Sequence, residues 1–146
     1  MITIVEEKDA KFITHAGSFH ADDVMATVLL EILYEDIPLA RVAEIDEKNT
    51  DAFVYDIGLG KYDHHQDDKV RRDNGIAYSS VGLIWRDYGM QILEKLGIQE
   101  YIEDYFYDID DQIIICPASS FDRSSTSLIS RSRELPARLI ESRYST

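Results

Sequence analysis

All four histidines of this chain fall in two short clusters, and each cluster is dense in aspartate. The first runs Thr14-His15-Ala16-Gly17-Ser18-Phe19-His20-Ala21-Asp22-Asp23. The second runs Tyr55-Asp56-Ile57-Gly58 and then Tyr62-Asp63-His64-His65-Gln66. Imidazole nitrogen and carboxylate oxygen together form the ligand set of Mn²⁺, Fe²⁺, Zn²⁺ or a pair of hard cations. Scattered surface histidines or a single satisfied core histidine would not partition this way, so the clusters are read as a metal site.

The surrounding pattern supplies elements that position these groups. Lys11 to His15 is a short β-rich apolar run ending before Gly17, which suits a buried strand followed by a turn. Asp22 to Tyr34 has helical periodicity in Val24, Met25, Val28, Leu29, Ile32 and Leu33, with Asp22 and Asp23 in the first turn, where the helix dipole favours anions. Val42–Ile45 and Ala52–Asp56 read as two further strands joined by a polar turn. Ser80 is the expected cap of a helix that carries Leu83, Ile84, Tyr88, Ile92 and Leu96 and stops at Gly97. A second helix is expected over Ile98–Ile109, and Ile113-Ile114-Ile115 resembles a strand. The alternation implies an α/β fold of three layers, a mostly parallel sheet flanked by helices. Both clusters then fall just past the C-terminal ends of strands, the edge where open α/β sheets bind ligands. Asp56, at such an end, is the candidate to bridge two metals through its two oxygens.

Composition narrows the function classes. The 146 residues suit one domain with a real core. No apolar run approaches the roughly 18 residues of a membrane span, and the first residues lack the pattern of a signal peptide. The single Cys116 makes no internal disulfide, so a cytoplasmic location is expected. A net charge of −13 argues against a broad nucleic-acid-binding face, although bound cations would reverse the field locally. Composition breaks near residue 115. Residues 1–115 hold three serines and 25 acids, whereas 116–146 hold nine serines, five arginines and three acids. The expected organisation is one folded domain over 1–115 and a Ser/Arg-rich tail over 116–146. That tail is either a disordered, partner-binding extension or a truncated or out-of-frame end, the second being favoured.

Tyr62-Asp63-His64-His65-Gln66 resembles the motif that names the DHH phosphoesterase superfamily. The closer resemblance is to the melanocyte-proliferating-gene exonuclease family, whose opening motif is matched by Thr14-His15 and Phe19-His20-Ala21-Asp22. Asn74-Gly75-Ile76-Ala77-Tyr78-Ser79-Ser80-Val81-Gly82-Leu83-Ile84-Trp85 is similar to the family's next segment, and the likeness covers roughly residues 11–112. It implies a metal-dependent phosphodiester hydrolase, a 3′-to-5′ RNA exonuclease or nucleotide phosphoesterase, that works through a hydroxide activated by two cations. Mn²⁺ is the expected metal, with Mg²⁺, Fe²⁺ and Zn²⁺ as alternatives. Carried over residue by residue, His15 and His20 would bind one metal, Asp22 and His64 the second, and Asp56 both. His65 would contact substrate phosphate. This family places a histidine, His20, where superfamily relatives have aspartate. A fourth-motif aspartate would be Asp108, Asp110 or Asp111, none of which matches a motif clearly. The family's second, substrate-gripping domain is not visible in this sequence.

The implied substrate is a phosphodiester, short RNA or a nucleotide, with no membrane partner. Self-association is also expected, because a shortened sheet would expose an edge. The alternative is a catalytically incompetent metal- or nucleotide-binding module, and a third reading is a structural Zn²⁺ protein. Several neighbours have plainer readings. Asp63 either supports an imidazole or caps its loop, Asp23 reads as a solvated first-turn acid, and Ser79 and Ser80 read as a helix cap rather than a nucleophile. Arg71 and Arg72 suit either phosphate or a solvated loop. Trp85 and the aromatics from Tyr101 to Tyr107 sit at helical spacing and read as core or interface.

Overall fold

The computed structural model describes residues 1–46 and 50–114. Strands β1 (Ile2–Ile4), β2 (Phe12–His15), β3 (Ile37–Val42) and β4 (Phe53–Val54) form one sheet in the order β1-β3-β2-β4. Every pairing is parallel. The helices are α1 (Ala21–Tyr34), α2 (Ser80–Lys95) and α3 (Ile102–Ile109). This is the α/β architecture of the three-layer class, and the sequence-derived fold holds.

Period-two alternation sorts the sheet into two apolar faces. Phe12 lies opposite both Leu39 and Phe53. Phe12 and Leu39 join the main core with Ala26, Leu30 and Leu33 of α1 and Val81, Ile84, Trp85, Ile92 and Leu93 of α2. Ile13, Ala40 and Val54 form a smaller cluster, packed by Ala10, Val42, Ile45, Ala52 and Ile57. Thr27 of α1 meets the Tyr55 hydroxyl at 2.5 Å, which fixes α1 over the end of β4. Gly89 lets α3 approach α2, since a Cβ there would lie 2.7 Å from the Phe106 ring. Phe106 stacks on Trp85 at 5.4 Å, and its carbonyl accepts from the indole N–H. Trp85 is therefore core, as expected.

Four local expectations are corrected. The third strand to form in the chain, β3, runs from Ile37 to Val42 rather than from Val42 to Ile45. Asp36-Ile37-Pro38 carries turn residues, yet the Pro38 carbonyl still accepts from Lys11 N–H, so proline costs this strand only a donor. β1 was not foreseen, since a run of three residues has too little periodicity to register. The helix expected over Ile98–Ile109 starts only at Ile102, because Tyr101 takes a left-handed φ of 56°. Asp110–Ile114 continues as a π-helical turn, not a strand. Ile114 joins the main core from that turn. Ile115, Cys116 and the Ser/Arg-rich tail over 116–146 lie outside the described residues.

Two polar clasps hold the loops that matter for chemistry. Arg72 donates to both oxygens of Asp110, at 2.8 and 2.7 Å, and its guanidinium lies 3.9 Å from the centre of the Tyr78 ring. This ties the segment before α2 to the π-helical turn. Arg72 is buried and committed to that pair, so it is not the solvated or phosphate-binding residue of the sequence reading. The second clasp centres on Asp87 of α2, which accepts from Lys61 at 2.8 Å, Arg86 at 2.7 Å and the Tyr62 hydroxyl at 3.2 Å. The Tyr62 ring stacks on Phe53 at 4.6 Å, so the loop after β4 is pinned to both strand and helix.

Burial opposes ionisation of Asp87, yet its bonds from Arg86 and Lys61 hold the carboxyl at about 2. An unfolded aspartate titrates near 3.9, so the clasp stabilises the fold above about pH 4 and loses that contribution as the pH falls toward 2. Lys61 is exposed and the pair is screened, which limits the effect to about 1 kcal/mol. Asp87→Asn should therefore lower stability by about 1 kcal/mol at pH 6, with the difference from the native chain closing by pH 2. Urea midpoints measured across that range check it. A difference that persists at pH 2 would show that charge is not what Asp87 contributes.

Candidate metal centre

The parallel sheet brings both histidine clusters to one edge. His15 ends β2, and His20 is the extended residue (φ −107°, ψ 161°) that opens α1. Their rings lie 5.0 Å apart. Asp56 follows β4 with φ 58°, a left-handed conformation that aspartate tolerates better than most residues. Leu59, with φ also 58°, turns the chain back, and its N–H donates to Asp63 at 2.8 Å. A branched apolar residue held there marks a strained loop kept in shape by its surroundings.

The His15 Nδ1–H donates to the Ala16 carbonyl at 2.8 Å, which leaves Nε2 with a lone pair. That nitrogen is buried and has no hydrogen-bond partner. It faces carboxylate oxygens of Asp56 at 3.3 Å and Asp23 at 3.5 Å. A lone pair and two anions at such distances repel unless a cation or a proton sits among them. The donor set is therefore one that a divalent metal would satisfy.

Asp56 stands between the two histidine clusters. Its Oδ2 faces His15, whereas its Oδ1 lies 3.2 Å from His64 Nδ1 and accepts from the Ser80 hydroxyl at 3.0 Å. Burial raises the cost of its charge, but hydrogen bonds from His64 and Ser80 outweigh this and hold Asp56 below the ordinary aspartate range. The same bond to Asp56 pushes His64 above the ordinary imidazole value. His64 Nδ1 also meets Ser80 Oγ at 2.9 Å and Asp22 at 3.3 Å, so it carries a hydrogen and leaves Nε2 free. Ser79, rather than the expected Ser80, caps α2, accepting from Gly82 N–H. Ser80 is instead the first residue of the helix, and its buried hydroxyl orients two candidate ligands.

One ligand atom each from His15, His20 and Asp56 lie within 4.8 Å of one another. So do atoms from Asp56, Asp63, His64 and His65. These two groups could hold metal, and Asp56 belongs to both. Asp22 is in neither. Its two oxygens accept from the Val81 and Ser80 N–H groups at 2.7 and 2.9 Å, so it caps α2 from across the fold. Burial and the nearby Asp56 raise its pKa, and the Val81 and Ser80 N–H groups and His64 oppose the rise. Asp63 both supports an imidazole and fixes its loop: one oxygen accepts from His65 Nδ1 at 2.5 Å, the other from Leu59 N–H. His65 itself is largely exposed. His15, His20, Asp56, Asp63 and His65 line a cleft of about 350 Å³.

Two residues escaped the sequence reading. Asp23 is fully buried, not solvated. It accepts from the His20 N–H at 2.7 Å and from Arg41 at 2.9 Å. Arg41 sits at the end of β3, on the same edge as His15 and Asp56. Placing that strand at Val42–Ile45 concealed it, and correct strand bounds would have revealed it. Of the three fourth-motif candidates, Asp110 is occupied by Arg72. Asp108 and Asp111 are absent from both candidate groups among the described residues.

Asp22, Asp23, Asp56 and Asp63 thus crowd one edge, where Arg41 pairs with Asp23, and burying like charges together is costly. A divalent cation should raise the stability of the folded chain. With Mn²⁺ at a hundredfold excess over its Kd, the gain is about 2.7 kcal/mol, read as a rise in Tm. No rise with Mn²⁺, Mg²⁺, Fe²⁺ or Zn²⁺ would mean that protons alone neutralise the cluster.

Known proteins share these motifs. The model of the uncharacterised protein family UPF0160, a MYG1 exonuclease model, matches residues 11–117. A MYG1 protein of Dictyostelium discoideum is 36% identical over 115 residues, covering 68% of this chain and 34% of that protein. A MYG1 protein of Saccharomyces cerevisiae is 31% identical, covering 57% of this chain and 28% of the relative. The human MYG1 exonuclease is 29% identical, covering 57% and 26%. The chain spans about a third or less of the length of these curated relatives. No solved structure matches it. With the family model covering well over half of its residues and the matched segment carrying both histidine clusters, the chain belongs to the UPF0160 family of MYG1 proteins.

Proposed function

We propose that this chain is a metal-dependent phosphodiester hydrolase domain that acts on short RNA or nucleotides, as a 3′-to-5′ exonuclease. The observation that carries the reading is the placement of Asp56, with one oxygen toward His15 and the other toward His64. Support comes from relatives in human, mouse, cow and rat that are named MYG1 exonuclease. No described helix is long and apolar enough to cross a membrane. A cytoplasmic location belongs to the same proposal.

His15, His20 and Asp56 would hold one cation, and Asp56 and His64 the second, joined by Asp22 once it yields an oxygen from its cap on α2. Two such cations, when bound, lower the pKa of a shared water and neutralise phosphate oxygens as charge develops. Mn²⁺ is the expected occupant. The chain's own groups set the geometry. Ser80 holds Asp56 and His64 in register. Arg41 and Asp23 brace the turn that carries His20. Asp63 accepts from His65 Nδ1, which fixes the ring and leaves Nε2 to meet a phosphate oxygen. Domain bounds of 1–115 and 116–146 are part of the proposal.

Metal content measured after equilibration with Mn²⁺ and removal of free ion tests it first. Two per chain are expected, both falling in Asp56→Asn; loss of only one would rule out a bridge. His65→Ala should keep both metals yet weaken phosphate binding roughly tenfold, the loss of one charge-assisted hydrogen bond. A metal-free His65→Ala chain would instead make His65 a ligand. Hydrolysis of a dinucleotide by the Mn²⁺-loaded chain separates an enzyme from a binding module, which would hold metal without turnover.

A further inference from the structure

Phe19 lies between the two histidines of the first cluster, yet nothing in the metal centre uses it. Its side chain is 70% exposed and belongs to neither apolar cluster. A large exposed aromatic at this point of the fold is not accounted for by packing. One face of its ring is occupied, because the Arg41 guanidinium lies 3.9 Å from the ring centroid. Arg41 is itself fixed by Asp23 at 2.9 Å and by the Gly17 carbonyl at 3.5 Å. The ring is therefore held on one face by a residue of the site's own scaffold while Phe19 stays largely exposed to solvent.

We propose that Phe19 is a stacking platform for the nucleobase of the substrate, a reading that rests on the phosphodiesterase function above. Bases of any identity stack on an aromatic face, so such a platform is tolerant of sequence. A ring already held still loses little freedom on binding, which favours affinity. Stacking also needs no positive charge. In a chain of net charge −13, a grip on nucleic acid through its phosphates alone would be opposed everywhere except at the cations. His20 follows Phe19 directly and joins the first ligand group. In space the ring rests on Arg41, Arg41 pairs with Asp23, and Asp23 faces His15 at 3.5 Å, so a base stacked on Phe19 would lie beside the metal edge. This fits a substrate held by its terminal nucleotide.

The chain offers a direct test, because its single tryptophan, Trp85, is buried at 2% exposure and shielded from ligands. Phe19→Trp adds an exposed indole that keeps the contact with Arg41, as tryptophan is the best ring for a cation. Titration of this variant with AMP in Mn²⁺ should quench its emission saturably, whereas ribose 5-phosphate should not. By calorimetry, Phe19→Ala should bind AMP at least about five-fold more weakly than the native chain, with ribose 5-phosphate unaffected. Binding of AMP no tighter than ribose 5-phosphate, without quenching, would overturn the platform and leave the phosphodiesterase reading standing. Failure of both ligands to bind the Mn²⁺-loaded chain would overturn both.

Discussion

The constraint on which this fold turns is the carboxylate of Asp56, almost fully buried between two imidazoles. A buried anion is tolerated only where hydrogen bonds and positive charge surround it. Everything near Asp56 can be understood as meeting that demand. The short β4 stops at Val54, so the chain can take the left-handed turn that swings Asp56 back over the strand ends. Its own N–H donates to the Tyr62 carbonyl, which closes the loop on itself and delivers Asp63 to His65 to the same edge. The Asp87 clasp keeps the loop closed from the helix side.

The N-terminus of α2 is the second support. Helix starts expose N–H groups and positive dipole, both suited to carboxylates. Here Ser79 satisfies Gly82, while Asp22 reaches across the fold to take Ser80 and Val81. That single contact locks α1 to α2 at their first turns, at the point where the ligands converge. It also explains why Asp22 is absent from both ligand groups. In this geometry its oxygens serve the helix, and an ion would have to compete with two backbone donors. If Asp22 ligates a cation as proposed, it must give up part of this anchor, and filling the centre would then loosen the seating of α2.

How much of this was legible from sequence depended on whether a residue's role is local. The α1 and α2 helices carry long, regular apolar stripes, and both emerged within about one residue of their observed bounds. His15, His20, Asp56 and His64 share an edge because parallel strands must end there, which alternation alone implies. The misses are residues whose role depends on partners remote in sequence. Asp23 looks solvated because it sits in a helix's first turn beside other acids, and only the end of β3 supplies the Arg41 that buries it. Ile113–Ile115 resembles a strand by composition, yet Ile114 reaches the core from a helical turn that the Arg72–Asp110 pair secures. Pro38 disguised a strand in which its carbonyl still takes part, accepting from Lys11 N–H. Burial and charge pairing across the fold decided all three.

Charge gives the site its logic. For the proposed phosphodiester substrate, an acidic chain would be repulsive except where cations gather, which would concentrate recognition in one place. Arg41 shows how sparingly fixed positive charge is spent there. It neutralises Asp23, braces the Gly17 turn and underlies the Phe19 ring at once. Were Arg41 free to meet phosphate directly, it would attract the substrate without any metal and Asp23 would stand unpaired. Held as it is, Arg41 is tied to Asp23, and the edge would become electropositive only if divalent ions bound there. In the proposed hydrolase, metal binding would then be the condition for substrate attraction as well as for chemistry, because the carboxylates that would repel a phosphate are the ones that would hold the cations.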